Sequence, residues 1–496
     1  MGHIERGIRM SELKKNAISW PGAIAMSIAI MAPAAGMMFA PQVVAQRAGG
    51  AVPLAFIVSL IGSLFVANTI VQFAKRLPHA GSFFAYNSAG LGKVAGFVSG
   101  WLLFSGYFVF YPQNLLAAAF FTSSVCKSLL GIELNWILVA LLFAGIIWWL
   151  SLRGISNSMK TDMFFVAFEV LVLLLLAVFI IVKGGAEGNT WSVFTPQHSP
   201  TSWGGVFFGM IFAMMTFMGF ESAATVAEET SNPRKNIPKA IWGSVIGVGI
   251  FYIFMTYAMA IGYGPSKGAD FAAATIPMED LASRYAGSGM RWAVDIAGIL
   301  SAFAVSLALN NATVRVIFAM GRDGVLPKFF GKIDPKLSAP KNSIHTVSLC
   351  TIILALTIGI LFGPYPNGYG FLGSFGTLPI LLLYVIASIS LYRFMKKHDP
   401  LHFNWWIHAI TPGIGGLFML LPIYGTLFPL PSWPYNLILL LVAIYITVGV
   451  ICGFLLRKKG GDMLDRLEKI MNHAGDERPD ELEGFKKNDT RINPEA

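Results

Sequence analysis

Met31-Ala32-Pro33-Ala34-Ala35-Gly36 and Thr216-Phe217-Met218-Gly219-Phe220-Glu221-Ser222 each fall in the middle of a long apolar run. Proline removes a backbone donor and clashes with the preceding turn, so a helix that reaches Met31 is expected to stop or kink there. Ala34, Ala35 and Gly36 are small enough for a ligand to reach bare backbone. A half-helix beginning after Gly36 would aim its N-terminal N–H groups, with their partial positive charge, at the centre of the run, where a carboxylate can be held. Carbonyls ending the preceding half-helix suit an ammonium group. The second interruption offers the same chemistry, with free carbonyls expected around Met215 and Thr216 and then Gly219. Two such breaks at corresponding places point to a solute-binding site between them, and together they suit a zwitterion. The competing reading is that Pro33 merely kinks a helix and the small residues permit close helix packing.

Composition places these runs in a membrane. Of 496 residues 55% are hydrophobic and only 12% charged, and the mean hydropathy of +0.64 is incompatible with an ordinary soluble domain. Crossing about 30 Å of hydrocarbon takes roughly 20 mostly apolar residues. Twelve such stretches are legible, near 20–47, 51–74, 95–125, 134–152, 162–183, 203–228, 239–263, 291–315, 343–363, 371–393, 405–427 and 434–456. The first carries no cleavage pattern and runs past Pro41, so it is expected to be retained. The chain thus reads as an all-α integral membrane protein. Its expected divisions are a cytoplasmic tail over 1–19, a core of spans one to ten over 20–393, spans eleven and twelve over 394–456, and a second cytoplasmic tail over 457–496. A short helix is expected over Met463 to Met471. With one break in span one and the other in span six, the spacing suggests a five-plus-five arrangement with discontinuous helices 1 and 6, followed by two extra helices.

Lysine and arginine favour cytoplasmic loops. Of the thirty-six, all but Arg47, Lys127, Lys183, Lys267, Arg284 and Arg291 fall on the N-terminal side when the spans are counted as twelve. Both termini are therefore expected in the cytoplasm of a cell-membrane protein. The net charge of +10 is topological, and no nucleic-acid partner is expected from it. Basic clusters at Arg393, Lys396 and Lys397 and at Arg457, Lys458 and Lys459 suit anionic membrane lipid. Cys126, Cys350 and Cys452 have neither paired spacing nor a nearby His, so they read as apolar filler, and no metal or cofactor is expected. Loop 264–290, the longest on the outer side, is expected to form short helices over the outer mouth.

Three stretches carry a resemblance: Pro78-His79-Ala80-Gly81-Ser82-Phe83-Phe84-Ala85-Tyr86 after span two, Gly219-Phe220-Glu221-Ser222-Ala223 running into Glu228-Glu229 and Asn232-Pro233-Arg234-Lys235-Asn236-Ile237-Pro238, and Gly321-Arg322-Asp323-Gly324-Val325-Leu326-Pro327 after span eight. In this order they resemble the amino acid/polyamine/organocation transporters. The resemblance implies a five-plus-five inverted repeat, alternating access, and secondary transport of amino acids or related amines, coupled to protons or running by exchange. Members carry a Gly-rich triplet with a central Ser or Thr in the first span. Here Ala34, Ala35 and Gly36 match it, flanked by Ala32 and Met37, and the hydroxyl is lost. The family's sixth-span site maps onto Met215, Thr216 and Met218, with Met215 where an aromatic gate often stands; Phe217 and Phe220 are neighbours able to take that role.

Two carboxylates lie inside the spans. Glu169 is about 10 Å along the axis from Asp162 by helical rise, and an ionised carboxylate at that depth costs a few kcal/mol unless paired. It is therefore a candidate proton carrier. It matches a position where relatives place a Lys filling the sodium site of sodium-coupled proteins with this fold, so a cation-ligating role is the alternative. A structural hydrogen bond is the plainer reading. Glu221 follows the second break and either caps free N–H groups or couples a proton or substrate ammonium to gating. Tyr107, Tyr111, Gln113 and Asn114 bring polar groups into span three, facing either the substrate path or another helix, and Asn310 and Asn311 in span eight share that ambiguity.

An amino acid transporter is the favoured reading and a carrier of amines or polyamines the rival, kept alive by Glu169 and Glu221. A membrane enzyme would need a nucleophile and base or a metal cluster at depth, whereas His198, His345, His402 and His408 are scattered toward span ends. A nontransporting nutrient sensor on the same fold would be expected to carry a large soluble signalling domain, and none interrupts the spans.

Overall fold

Helices that are apolar on every side satisfy their backbone internally and need no water, which is what a bilayer demands. A computed structural model describes residues 18–79, 81–153, 158–322, 326–334, 337, 339–428 and 433–458, and its described residues form helices with no strand beyond two isolated bridges. In order these are α1 (Trp20–Met31), α2 (Pro33–Ala48), α3 (Val52–Arg76), α4 (Phe83–Leu91), α5 (Lys93–Leu130), α6 (Trp136–Leu152), α7 (Ser158–Val182), α8 (Trp203–Phe217), a 3-10 segment (Phe220–Glu229), α9 (Pro233–Tyr263), α10 (Gly268–Ala273), α11 (Pro277–Arg322), α12 (Lys341–Phe362), α13 (Tyr369–His398), α14 (Thr411–Leu427) and α15 (Asn436–Lys458). Among the described residues nine helical runs are long and apolar enough to cross a membrane; the first, Trp20–Arg76, takes in α1 to α3, and α6 and Val166–Val182 of α7 are shorter apolar helices. The helix expected over Met463–Met471, residues 1–17 of the leading tail, and the side chains of Asp162 and Glu228 lie outside the described residues.

Burial sorts the helices into two rings. α2 is buried almost throughout, packed on α8, α10 and α11, and α5 lies between α11 and α13. α6, α12, α14 and α15 turn large apolar side chains outward, among them Leu138, Leu142, Leu349, Ile353, Leu417 and Ile451. In water such faces would be a liability; against lipid tails they cost nothing. α10 and the first turns of α11, which bends at Gly287, are the short helices expected between 264 and 290. The chain entering α1 is pinned to the end of the 3-10 segment, since Ile18 N–H donates to the Glu229 carbonyl at 2.9 Å and Ser231 N–H to the Ile18 carbonyl at 2.9 Å.

Candidate functional site

The first break is narrower than the sequence implies, and it lies earlier. α1 ends at Met31, Ala32 alone is left-handed (φ 44°, ψ 69°), and α2 restarts on Pro33. Proline has no N–H to satisfy and a φ already suited to a helix, which makes it a favoured first helical residue. The half-helix therefore begins at Pro33 and not after Gly36, so Ala34, Ala35 and Gly36 form its first turn. Their donors are partly used: Gly36 N–H donates to the Ala32 carbonyl at 2.8 Å and Ala35 N–H to Ser301 Oγ of α11 at 2.9 Å.

The second break falls where expected. α8 ends at Phe217, Met218 is extended and Gly219 takes φ 113°. A side chain is doubly excluded at Gly219, because a Cβ there would also stand 2.5 Å from Ile30 Cγ2. The two breaks thus cross in contact. Beyond Gly219 the chain continues as 3-10 helix, whose orphan donors are handled by Glu221. Its Oε2 accepts Gly219 N–H at 2.9 Å and the Tyr384 hydroxyl at 3.0 Å, and its Oε1 accepts the Tyr107 hydroxyl at 3.2 Å. Glu221 is fully buried. Ser27 Oγ donates to the Phe220 carbonyl at 2.8 Å and Ser222 Oγ to the Met26 carbonyl at 3.3 Å, tying α1 to the 3-10 segment.

One side chain joins the broken ends. The Tyr252 hydroxyl, from α9, lies 3.0 Å from the Met31 carbonyl and 2.9 Å from the Thr216 carbonyl. These are the two carbonyls that end α1 and the last turn of α8, so the groups expected to be free for an ammonium are held by a phenol. Its ring is packed edge-on against Phe56 (5.8 Å) and Phe217 (5.2 Å).

A central cavity of about 40 Å³ lies between the breaks. Of the residues expected at the site, Ala32, Ala35, Gly36, Tyr107, Met215, Thr216 and Met218 line it, together with Gln113 and Asn114. Ala34, Met37, Tyr111, Phe217, Gly219 and Phe220 are buried or packed beside it and are not among its lining. Phe217 faces Tyr252, and Phe220 leans on Tyr384 at 5.9 Å. A second cavity of about 480 Å³, largely apolar, lies on the N-terminal side among α1, α7, α9 and α11. Ile28, Ala29 and Pro33 line the large cavity while Ile30, Met31 and Ala32 line the small one, so the last turn of α1 is the partition.

Glu169 is 1% exposed in α7. It lines neither cavity, although its neighbours Val166, Ala167 and Val170 line the larger one. Asn310 and Asn311 both bond across to α6, Asn310 Nδ2 donating to Ser151 Oγ at 2.7 Å and Ser151 Oγ to Asn311 Oδ1 at 3.1 Å, and Asn311 also lines the larger cavity. Glu229 Oε1 lies 3.9 Å from Arg315 Nη1 of α11. Tyr252, Tyr384 and Ser301 are not singled out by the sequence. Each is a polar group in an apolar span, but only the packing of α9, α13 and α11 on the breaks distinguishes them.

The comparisons with known proteins meet this geometry. A family model described as amino acid permease matches residues 18–452, nearly all of the described chain. This chain belongs to the amino acid permease family. The permease is 26% identical over 434 residues to the branched-chain amino acid permease BcaP of Bacillus subtilis (strain 168), covering 84% of this chain and 87% of that one. It is 25% identical to the methylthioribose transporter of the same organism, over 84% of this chain and 88% of that one. Its identity to the low-affinity putrescine importer PlaP of Escherichia coli (strain K12) is 26%, over 76% and 81%. The permease is a membrane transporter.

Proposed function

We propose that the permease is a secondary transporter carrying amino acids across the cell membrane by alternating access around the cavity between the two breaks. The observation that carries this reading is the meeting of both broken helices at one cavity, their carbonyl ends 2.9 and 3.0 Å from a single hydroxyl. Counting α1 and α2 as one interrupted span, and α8 with the 3-10 segment as another, gives twelve spans: ten in two inverted five-span repeats and two more, with both termini cytoplasmic. The substrate carboxylate sits at the N-terminal turn of α2, beside Ala34 and Ala35, and competes with Ser301 for the Ala35 N–H. Its ammonium takes the Met31 and Thr216 carbonyls, displacing the Tyr252 hydroxyl. Tilting of the last turn of α1 joins the central cavity to the larger one and opens a path to the N-terminal side.

Coupling is assigned to protons, with Glu169 as carrier and Glu221 as the link between the second break and the gate; sodium coupling and obligatory exchange are the alternatives. Reconstitution in proteoliposomes tests this. Glu169→Gln should abolish accumulation driven by a pH gradient and leave exchange of substrate across the membrane largely intact. Equal loss of both would make Glu169 structural. The rival reading, an amine or polyamine carrier, draws support from the likeness to PlaP; uptake of putrescine in preference to any amino acid would establish it.

A further inference from the structure

The named relatives span branched-chain amino acids, methylthioribose and putrescine at 25–26% identity, so likeness alone does not choose a substrate. The lining of the central cavity does. Taking the transport reading above as its basis, we propose that this cavity selects neutral α-amino acids with an apolar side chain, and rejects dibasic amino acids and diamines.

None of the described residues lining the cavity carries a formal charge. Besides the backbone of the two breaks, the walls are the apolar side chains of Phe110, Met215, Met218, Val305 and Leu309, the phenols Tyr107 and Tyr369, and the amides Gln113 and Asn114. The two amides among them are turned to other duties: Asn114 Nδ2 donates to the Phe110 carbonyl of its own helix at 2.8 Å, and Gln113 Nε2 points at Met215 Sδ at 3.2 Å. Glu221 is outside the lining, and its carboxylate already accepts from two tyrosines and a backbone N–H. A substrate's α-ammonium and α-carboxylate have backbone partners at the broken ends. A second ammonium group on its side chain would meet only neutral oxygens, those of Gln113, Asn114, Tyr107 and Tyr369, and no carboxylate in the lining, and desolvating it without a counter-charge should cost more than about a hundredfold in affinity. Among apolar side chains discrimination should be milder, because methionine thioethers are flexible and repack around branched and unbranched chains alike.

Gly373 of α13 sets the size of this subsite. A Cβ there would lie 2.6 Å from Gln113 Nε2 and 2.7 Å from Met215 Sδ. Gly373→Ala therefore pushes the Gln113–Met215 pair away from α13 and shrinks the room for a side chain.

The test is uptake of radiolabelled L-leucine by the purified, reconstituted full chain, challenged with a hundredfold excess of L-methionine, L-isoleucine, L-arginine or putrescine. Methionine and isoleucine should suppress uptake while arginine and putrescine leave it unchanged. Competition or direct transport by arginine or putrescine as effective as that of leucine overturns the inference while leaving amino acid or amine transport in place. Absence of uptake for all of these compounds sinks the transport reading, and this inference with it. Two variants sharpen the outcome. Met215→Glu supplies the missing counter-charge and should admit arginine; a variant that still moves leucine and still excludes arginine refutes the counter-charge argument. Gly373→Ala should shift the alanine-to-leucine uptake ratio about tenfold toward alanine, and an unchanged ratio removes Gly373 from the subsite.

Discussion

Replacing Tyr252 by Phe isolates one hydroxyl. The ring contacts with Phe56 and Phe217 survive the change, so the variant keeps its packing and loses only the bridge between the Met31 and Thr216 carbonyls. A hydroxyl donates one hydrogen, so the two carbonyls share it, and one buried acceptor's worth of hydrogen bonding disappears. Stranding a buried acceptor costs about 1–3 kcal/mol. The loss is local, because both carbonyls belong to the broken ends. Hydrogen exchange followed by mass spectrometry should therefore show amides over residues 28–37 and 214–222 exchanging about 5–150-fold faster, with amides over 436–455 in peripheral α15 unchanged. Unaltered exchange at the breaks, or acceleration of equal size in α15, would refute the idea that this hydroxyl pins the two half-helices together. A saturating neutral amino acid should reverse the acceleration if its ammonium takes over the same two carbonyls.

Glu221→Ala leaves Gly219 N–H and the Tyr107 and Tyr384 hydroxyls without their acceptor; it should abolish transport and shorten the detergent half-life, whereas Glu221→Gln, which keeps an acceptor oxygen, should fold well enough to bind substrate in a thermal-shift assay. Gly219→Ala forces a Cβ into Ile30 at a positive φ, and both transport and yield of folded protein should collapse; wild-type uptake would mean the breaks do not touch. Outside the spans, burial raises the Asp399 carboxyl, but hydrogen bonds from Arg76 and His402 outweigh this and hold it below the usual carboxylate range. A depressed value in the folded state stabilises above the unfolded value, and the benefit fades as pH falls through the folded one. Asp399→Asn should therefore cost about 1 kcal/mol or less at neutral pH for this partly exposed pair and nothing once acid has protonated the carboxyl, as read from thermal stability across pH; an equal loss at both pH values would exclude the ion pair as its cause.

The membrane-spanning helices and the two breaks were legible because their causes are local. Pro33 ends α1 through its own ring, and Gly219 allows a backbone turn other residues resist. The detail that failed was local too, and instructive: the half-helix restarts on Pro33 because proline suits a first turn, so the small triplet sits inside α2 instead of before it. Tyr252, Tyr384 and Ser301 could not be found this way. They lie 36 or more residues from their partners along the chain, and nothing in their own neighbourhoods separates them from tyrosines and serines that only pack. Glu169 shows the converse limit, since its depth could be counted along a helix while the face it turns to its neighbours could not.

The uncharged lining of the central cavity has an electrical consequence. On the proposed reading the substrate is a zwitterion without net charge; walls without ionised groups add no charge movement in either half of the cycle, and a full turnover, which returns the protein to its starting state, displaces only the charge of whatever ion accompanies the substrate. Each elementary charge crossing a potential of 100 mV is worth about 2.3 kcal/mol. Current recorded per molecule of substrate thus counts coupling ions directly: one charge per amino acid for a single proton, none for strict exchange of one neutral solute for another.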